Sequence, residues 1–327
     1  MKTPYLRRAV LKLSVLALMG ISGAHAQDAW PNKPIRIIGL GSPGTLSDTI
    51  GRIIGDGISK RLGVPVIIEH KPGAAGQVGV AYGAKAPPDG YTITMGTAAP
   101  LGVAPSLSSK LPYDYTKDIV GIALVAQVPL VLIVAKDSPF RTMSDLIAYA
   151  QANPGKLNFG SSGAGSTSHL ATVLLATNRK LQMASIPYSS AGSAVLPVIS
   201  KQVDFALELV SAVSGQIQQG GVRALAIAAP ARSSSIPNVP TMAEAGVPDF
   251  EVGSWTGLIA PAGTPRPIIE KLAAAVLDSL KDPEIIQRFN RAGAEVAPLG
   301  PREFERFYFD EVKRWAPIVK ASGAKID

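Results

Sequence analysis

Cysteine is absent from the 327 residues, and histidine occurs only three times. A disulfide framework, a Cys-rich zinc site and a thiolate nucleophile are therefore excluded, and stability must come from the core. There is no H-x-x-x-H pair and no clustered set of carboxylates, so neither a metal nor a cofactor is expected. A G-x-S-x-G elbow is also missing. His169 follows Ser168 directly, and adjacent helical residues do not face each other, which argues against a Ser–His–acid hydrolase. His70 has no partners at metal-ligand spacing and is expected at the surface. The net charge is +8, yet Lys and Arg are scattered with no basic run and no interleaved aromatics. Nucleic acid is not an expected partner.

Long apolar runs are lacking too. The run near the start of the chain, Leu13 to Ile21, falls well short of the ~20 residues that span a bilayer. It follows the basic Lys2, Arg7, Arg8 and Lys12 and precedes Ala24-His25-Ala26, the pattern of a secretory signal over residues 1–26 with cleavage after Ala26. No Cys stands there to be lipidated, so a soluble exported protein is expected. Removing the signal lowers the charge from +8 to about +4, a mild field that helps collect anions. About 300 residues remain, enough for two domains.

Strand and helix signals alternate throughout, which argues for an α/β fold with mostly parallel sheets. Strands are expected at Ile35-Arg36-Ile37-Ile38, Val66-Ile67-Ile68-Glu69 and Tyr91-Thr92-Ile93-Thr94-Met95. Val131-Leu132-Ile133-Val134 opens a second block. Leu157-Asn158-Phe159, Val203-Asp204-Phe205-Ala206-Leu207 and Ala224-Leu225-Ala226-Ile227 follow. Helices are expected where Ile50, Ile53, Ile54 and Ile58 share a face, after a capping box at Thr142-Met143-Ser144-Asp145, through Leu170 to Leu175, and after Pro265. A last helix aligns Phe304, Phe307, Tyr308, Val312, Trp315 and Val319 as core, with a kink expected at Pro317.

Three strand-to-helix junctions are built from small residues: Gly41-Ser42-Pro43-Gly44-Thr45-Leu46-Ser47-Asp48, Gly73-Ala74-Ala75-Gly76-Gln77 and Ser161-Ser162-Gly163-Ala164-Gly165-Ser166-Thr167-Ser168. Such junctions aim free N–H groups and a positive helix end at whatever binds there, which suits a small anion. The first also fits the dinucleotide fingerprint at Gly39, Gly41 and Gly44, with Glu69 ending the next strand. An exported or nicotinamide-dependent enzyme is thus the alternative. Export, the stiff Pro43 and the lack of a hydride-transfer site count against it.

The chain resembles the Bug family of periplasmic solute-binding proteins, the receptors of tripartite tricarboxylate transporters. The resemblance rests on Lys71-Pro72-Gly73-Ala74-Ala75-Gly76, Ala86-Pro87-Pro88-Asp89-Gly90-Tyr91-Thr92, Gly163-Ala164-Gly165-Ser166 with His169-Leu170, Val239-Pro240-Thr241-Met242-Ala243-Glu244-Ala245-Gly246, and Leu258-Ile259-Ala260-Pro261-Ala262-Gly263-Thr264-Pro265. It implies a type II periplasmic-binding-protein fold: two doubly wound lobes, joined by a two-strand hinge, closing on ligand. Residues 27–127 plus 249–327 would form one lobe and 128–248 the other. It implies a small carboxylate ligand held by amides, hydroxyls and water, delivery to membrane permease subunits or a sensor kinase, and a monomer.

The candidate ligand contacts are Gly41, Ser42, Gly44, Thr45, Ser47, Asp48, Ala74, Ala75, Thr97 and Ala98 from the first lobe, and Ser161, Ser162, Thr167, Ser168 and His169 from the third junction, within the second. From the second lobe come Tyr188, Ser189, Ser190, Ala191, Gly192 and Glu208, with Trp255 as a wall. Asp48 is expected to orient loop amides or a water, and His169 has a structural role as its alternative. Family members usually carry Tyr-Lys-Gly where this chain has Tyr188-Ser189-Ser190, and often Asp at Glu208. With that cation replaced, a monocarboxylate is expected over di- and tricarboxylates. Glu208 would meet an amine, hydroxyl or ring N–H, or else pair with an Arg at the rim.

Overall fold

The structure, a computed structural model, describes residues 30–324 apart from 109 and 249. The expected signal segment and its cleavage site lie outside the described residues. The first apolar run forms β1 (Ile35–Gly39). The helix after it, α1 (Leu46–Leu62), buries Ile50, Ile53, Ile54 and Ile58 on the face that its period predicts. Thr45 caps α1 by accepting the Asp48 N–H, and Gly63 ends it in the left-handed region at φ 71°. β2 (Val66–His70) pairs in parallel with β1. α2 (Gln77–Ala84) then leads to β3 (Thr92–Thr97), parallel to β1 on its other side. Short helical turns at Ala98–Val103 and α3 (Ala104–Leu107) follow.

β4 (Ile119–Ala135) is next, then α4 (Met143–Ala152), β5 (Asn158–Ser161), α5 (Thr167–Arg179), β6 (Ala184–Pro187) and α6 (Val195–Ile199). The chain continues through β7 (Phe205–Leu209), α7 (Val210–Gln218), β8 (Val222–Ile227) and β9 (Gly253–Pro261). It closes with α8 (Arg266–Ser279), α9 (Pro283–Arg291), β10 (Glu295–Leu299) and α10 (Pro301–Ser322). The capping box at α4 is formed: Thr142 Oγ1 accepts the Asp145 N–H at 3.1 Å, and Asp145 Oδ2 accepts the Thr142 N–H at 2.9 Å.

All ten strands join one sheet in the order β2-β1-β3-β9-β4-β7-β5-β6, with β8 and β10 also on β4. The strand expected at Val131–Val134 is the end of a longer one. β4 begins twelve positions earlier, at Ile119, and changes partners along its length. Up to Pro129 it pairs with β9 and β10; from Leu130 it pairs with β7 and β8. Pro129 has no N–H to donate, and it sits where one set of partners gives way to the other. Two sheet halves result, each with its own core. The chain passes between them in β4 and again between β8 and β9. α10 lies on both, placing Phe304 and Tyr308 in the first core and Trp315, Ile318 and Val319 in the second. It continues as one helix past Pro317.

Candidate functional site

A cavity of about 570 Å³ opens between the two halves. The first half contributes Ala75, Gln77, Ala99, Val103, Ala104 and Leu107; the second contributes Ser162, the Ala164–Ser168 loop, Ser190, Ala191, Glu208 and Leu209. The site stands beyond the carboxyl ends of β3, β5 and β7, where open α/β sheets bind ligands. Among the described residues, no Lys, Arg or His lines it, and Glu208 is its one ionisable side chain.

The third small-residue junction supplies most of the polar wall. Ser166 is the N-cap of α5, its Oγ accepting the His169 N–H at 3.3 Å. Ser168 Oγ accepts the Ser162 N–H at 2.9 Å and donates to Ser162 Oγ at 3.1 Å, so the two strands of the loop are tied together. The N–H groups of Thr167 and Ser168, at the first two helical positions, find no acceptor among the described residues. They point the positive end of a thirteen-residue helix at the cavity. Ser161 Oγ is also buried without a partner, but it lies off the cavity wall.

Glu208, on β7, is 0% exposed. Its Oε2 accepts the Gly192 N–H at 3.1 Å, while Oε1 has no hydrogen-bond partner. Burial pushes the carboxyl up to about 7, against the opposing pull of the Gly192 N–H, the Ser162 hydroxyl and the Leu209 N–H. Glu208 is therefore no rim residue, and no arginine pairs with it. Gly192 reaches it with φ 79°, which suits a residue without Cβ.

The second junction brings Ala75 to the cavity, with Ala74 behind it. Both hold positive φ, 46° and 52°, between the left-handed Gly73 and Gly76. Two alanines in that region mark a constrained turn, the kind found at binding sites. Thr97 and Ala98 stop short of the wall, which Ala99 occupies.

The first junction stands apart: Gly41, Ser42, Gly44, Thr45, Ser47 and Asp48 do not line this cavity. Asp48 nevertheless organises its loop. It is 5% exposed, and its carboxylate accepts from the Gly44 N–H at 2.9 Å, Arg52 Nε at 3.1 Å and His70 Nε2 at 2.9 Å. Burial alone would raise this carboxyl; the Gly44 N–H, Arg52 and His70 outweigh it and hold it at about 2. His70 is thus half-buried beside an acid, not a free surface residue. Thr45 is occupied as the cap, its hydroxyl donating to Ser42 O at 2.8 Å. Glu69, the candidate ribose-binding acid, is engaged by Arg36 at 3.1 Å and Lys71 at 3.0 Å.

Three further expectations are corrected. Trp255 does not wall the cavity: at 2% exposure it packs edge-on against Phe304 and Phe307. Its Nε1–H donates to Glu311 Oε2, which also accepts from Trp315 Nε1, so the ring belongs to the junction of β9 with α10. His169 turns its ring onto Phe159, and its Nδ1 accepts the Gly165 N–H at 3.2 Å. Burial lowers its pKa, keeping it neutral as that acceptor role requires. Tyr188 and Ser189 lie off the wall, and Ser190 and Ala191 take their place.

Sequence reasoning missed Gln77, Ser166 and the apolar Val103 and Leu107. Ser166 carried a readable signal as a cap three residues before His169. Val103 and Leu107 carried none, since the Ala98–Val103 turn breaks any helical period.

The fold and this cavity define a two-lobed solute-binding protein. The chain belongs to the tripartite tricarboxylate transporter family receptors, whose pattern residues 50–324 match. Protein BugT of Bordetella pertussis is 34% identical over 312 residues, 95% of this chain and 96% of BugT. The periplasmic binding protein BugD superposes with a TM-score of 0.74 at 32% identity, over 90% of this chain and 99% of that one. MatC from Rhodopseudomonas palustris, solved with bound malate, gives 0.72 at 33% identity, over 89% and 100%.

Proposed function

We propose that this protein is an exported receptor that captures a small organic acid between its halves and hands it to a membrane permease or a sensor. One observation carries the proposal: a cavity between the halves combines two unpaired amides at the start of α5, serine hydroxyls and no fixed cation. Amides and hydroxyls replace the water around one carboxylate without the desolvation of a lysine. A second carboxylate would face Glu208, so a monocarboxylate is favoured, unlike the malate bound to MatC. Residues 27–127 plus 249–327 would move as one lobe and 128–248 as the other. Bending would fall in β4 near Pro129 and in the β8–β9 connection, the two passages between halves.

Small-angle scattering tests this. A saturating carboxylate, found by thermal shift, should lower the radius of gyration as the halves close. An unchanged radius with ligand bound would contradict capture by closure.

A further inference from the structure

Glu208 gives the cavity a second pole. One end is positive, formed by the Thr167 and Ser168 amides and the dipole of α5. The other is Glu208, a fully buried residue of the same wall, whose Oε1 has no hydrogen-bond partner among the described residues. Buried carboxylates are normally paired, and leaving one unpaired is strongly unfavourable once a cleft closes over it. Among the described residues of the wall none is Lys, Arg or His, so none of them supplies the counter-charge.

From this bipolar arrangement, and resting on the receptor function proposed above, we propose that the ligand is an amine-bearing acid. Its carboxylate would meet the amides of Thr167 and Ser168, and its protonated nitrogen would donate to Glu208 Oε1. A hydroxyl could donate too, but a charged N–H forms roughly twice as strong a hydrogen bond to a carboxylate and cancels its charge. Val103, Leu107 and Leu209 offer apolar surface for the hydrocarbon between or beside the two groups. The elements around Glu208 are β4, the Ser162 loop and the Ser190–Gly192 turn. No charged side chain from any of them acts on its carboxyl. The positive charge that meets Glu208 would therefore come from the ligand.

Calorimetry on the mature protein decides the matter with matched probes: glycine against acetate, β-alanine against propionate, leucine against isocaproate, and malate as a dicarboxylate. At a pH above 7 the best amine-bearing acid should bind at least about tenfold more tightly than its amine-free partner, the scale of one charge-assisted hydrogen bond. Glu208→Gln should erase that preference while leaving amine-free acids bound as well or better. Repeating the titration near pH 6 in buffers of different ionisation enthalpy should show protons released, because a nearby cation favours ionised Glu208. Equal or tighter binding of the amine-free acids or malate, proton uptake on binding, or a preference that survives Glu208→Gln would overturn the inference and leave the receptor intact. The wild-type comparison decides even if the variant fails to fold. No response to any of these acids would remove the receptor function and this inference with it.

Discussion

Two buried carboxylates with opposite shifts set the pH behaviour of individual residues. Asp48, held at about 2, keeps its charge in the native state where the unfolded chain would take up a proton. Its contribution is complete above the unfolded carboxylate range and is lost as pH falls toward 2, about 2 kcal/mol in all. Asp48→Asn should flatten that acid limb in denaturant melts; an unchanged limb would mean that the ion pairs with Arg52 and His70 contribute nothing. Glu208 behaves the other way. Its raised value means the native state holds a proton that the unfolded state gives up, so stability falls as pH rises from about 4.5 to about 7. Glu208→Gln should raise stability above pH 7 by up to about 3 kcal/mol, measured by urea unfolding. The role of Asp48 was legible because a helix-start acid beside a small-residue loop has amides within reach. Trp255 was misjudged because small flanking residues mark a crowded strand as readily as an open pocket.

At the scale of elements, packing around α10 offers the sharpest test. A Cβ at Gly257 would lie 2.3 Å from Phe304 Cζ and 2.7 Å from the Ala123 carbonyl oxygen, so β9, β4 and α10 meet there with no spare space. Gly257→Ala should destabilise by about 1–3 kcal/mol through overpacking. A thermal melt matching wild type would show that α10 can shift freely. Periodicity exposed α1, α4, α5, α8 and α10 and most of the short strands, but not α7, α9 or β6. Of β4 it exposed only Val131–Val134, because the apolar run before it includes Pro129, a residue that normally argues against a central strand. Nor did it find β9 or β10, whose pattern is set by partners distant in the chain.

For the whole molecule, the proposed export and the proposed closure belong together, since a receptor outside the cytoplasm would collect its ligand unaided. Mass analysis of periplasmic protein should give Gln27 as the first residue; an intact Met1 form in the cytoplasm would contradict export. The two-lobed plan was legible from motifs that recur in one order along the chain. Of the cavity wall, Ala75, Ser162 and Glu208 were legible as well; Val103 and Leu107 were not, because only the folded chain brings them against the α5 junction. The central claim is that an acid binds between the halves on the α5 junction. Calorimetric titration of a responding carboxylate into wild type and a Ser162→Ala/Thr167→Ala variant tests it most directly. Each lost hydrogen bond to a charged group is worth about 1.5–3 kcal/mol, so affinity should fall at least tenfold while the melting temperature changes little. Unchanged affinity in the folded double variant would show that these hydroxyls do not touch the ligand and that the site lies elsewhere.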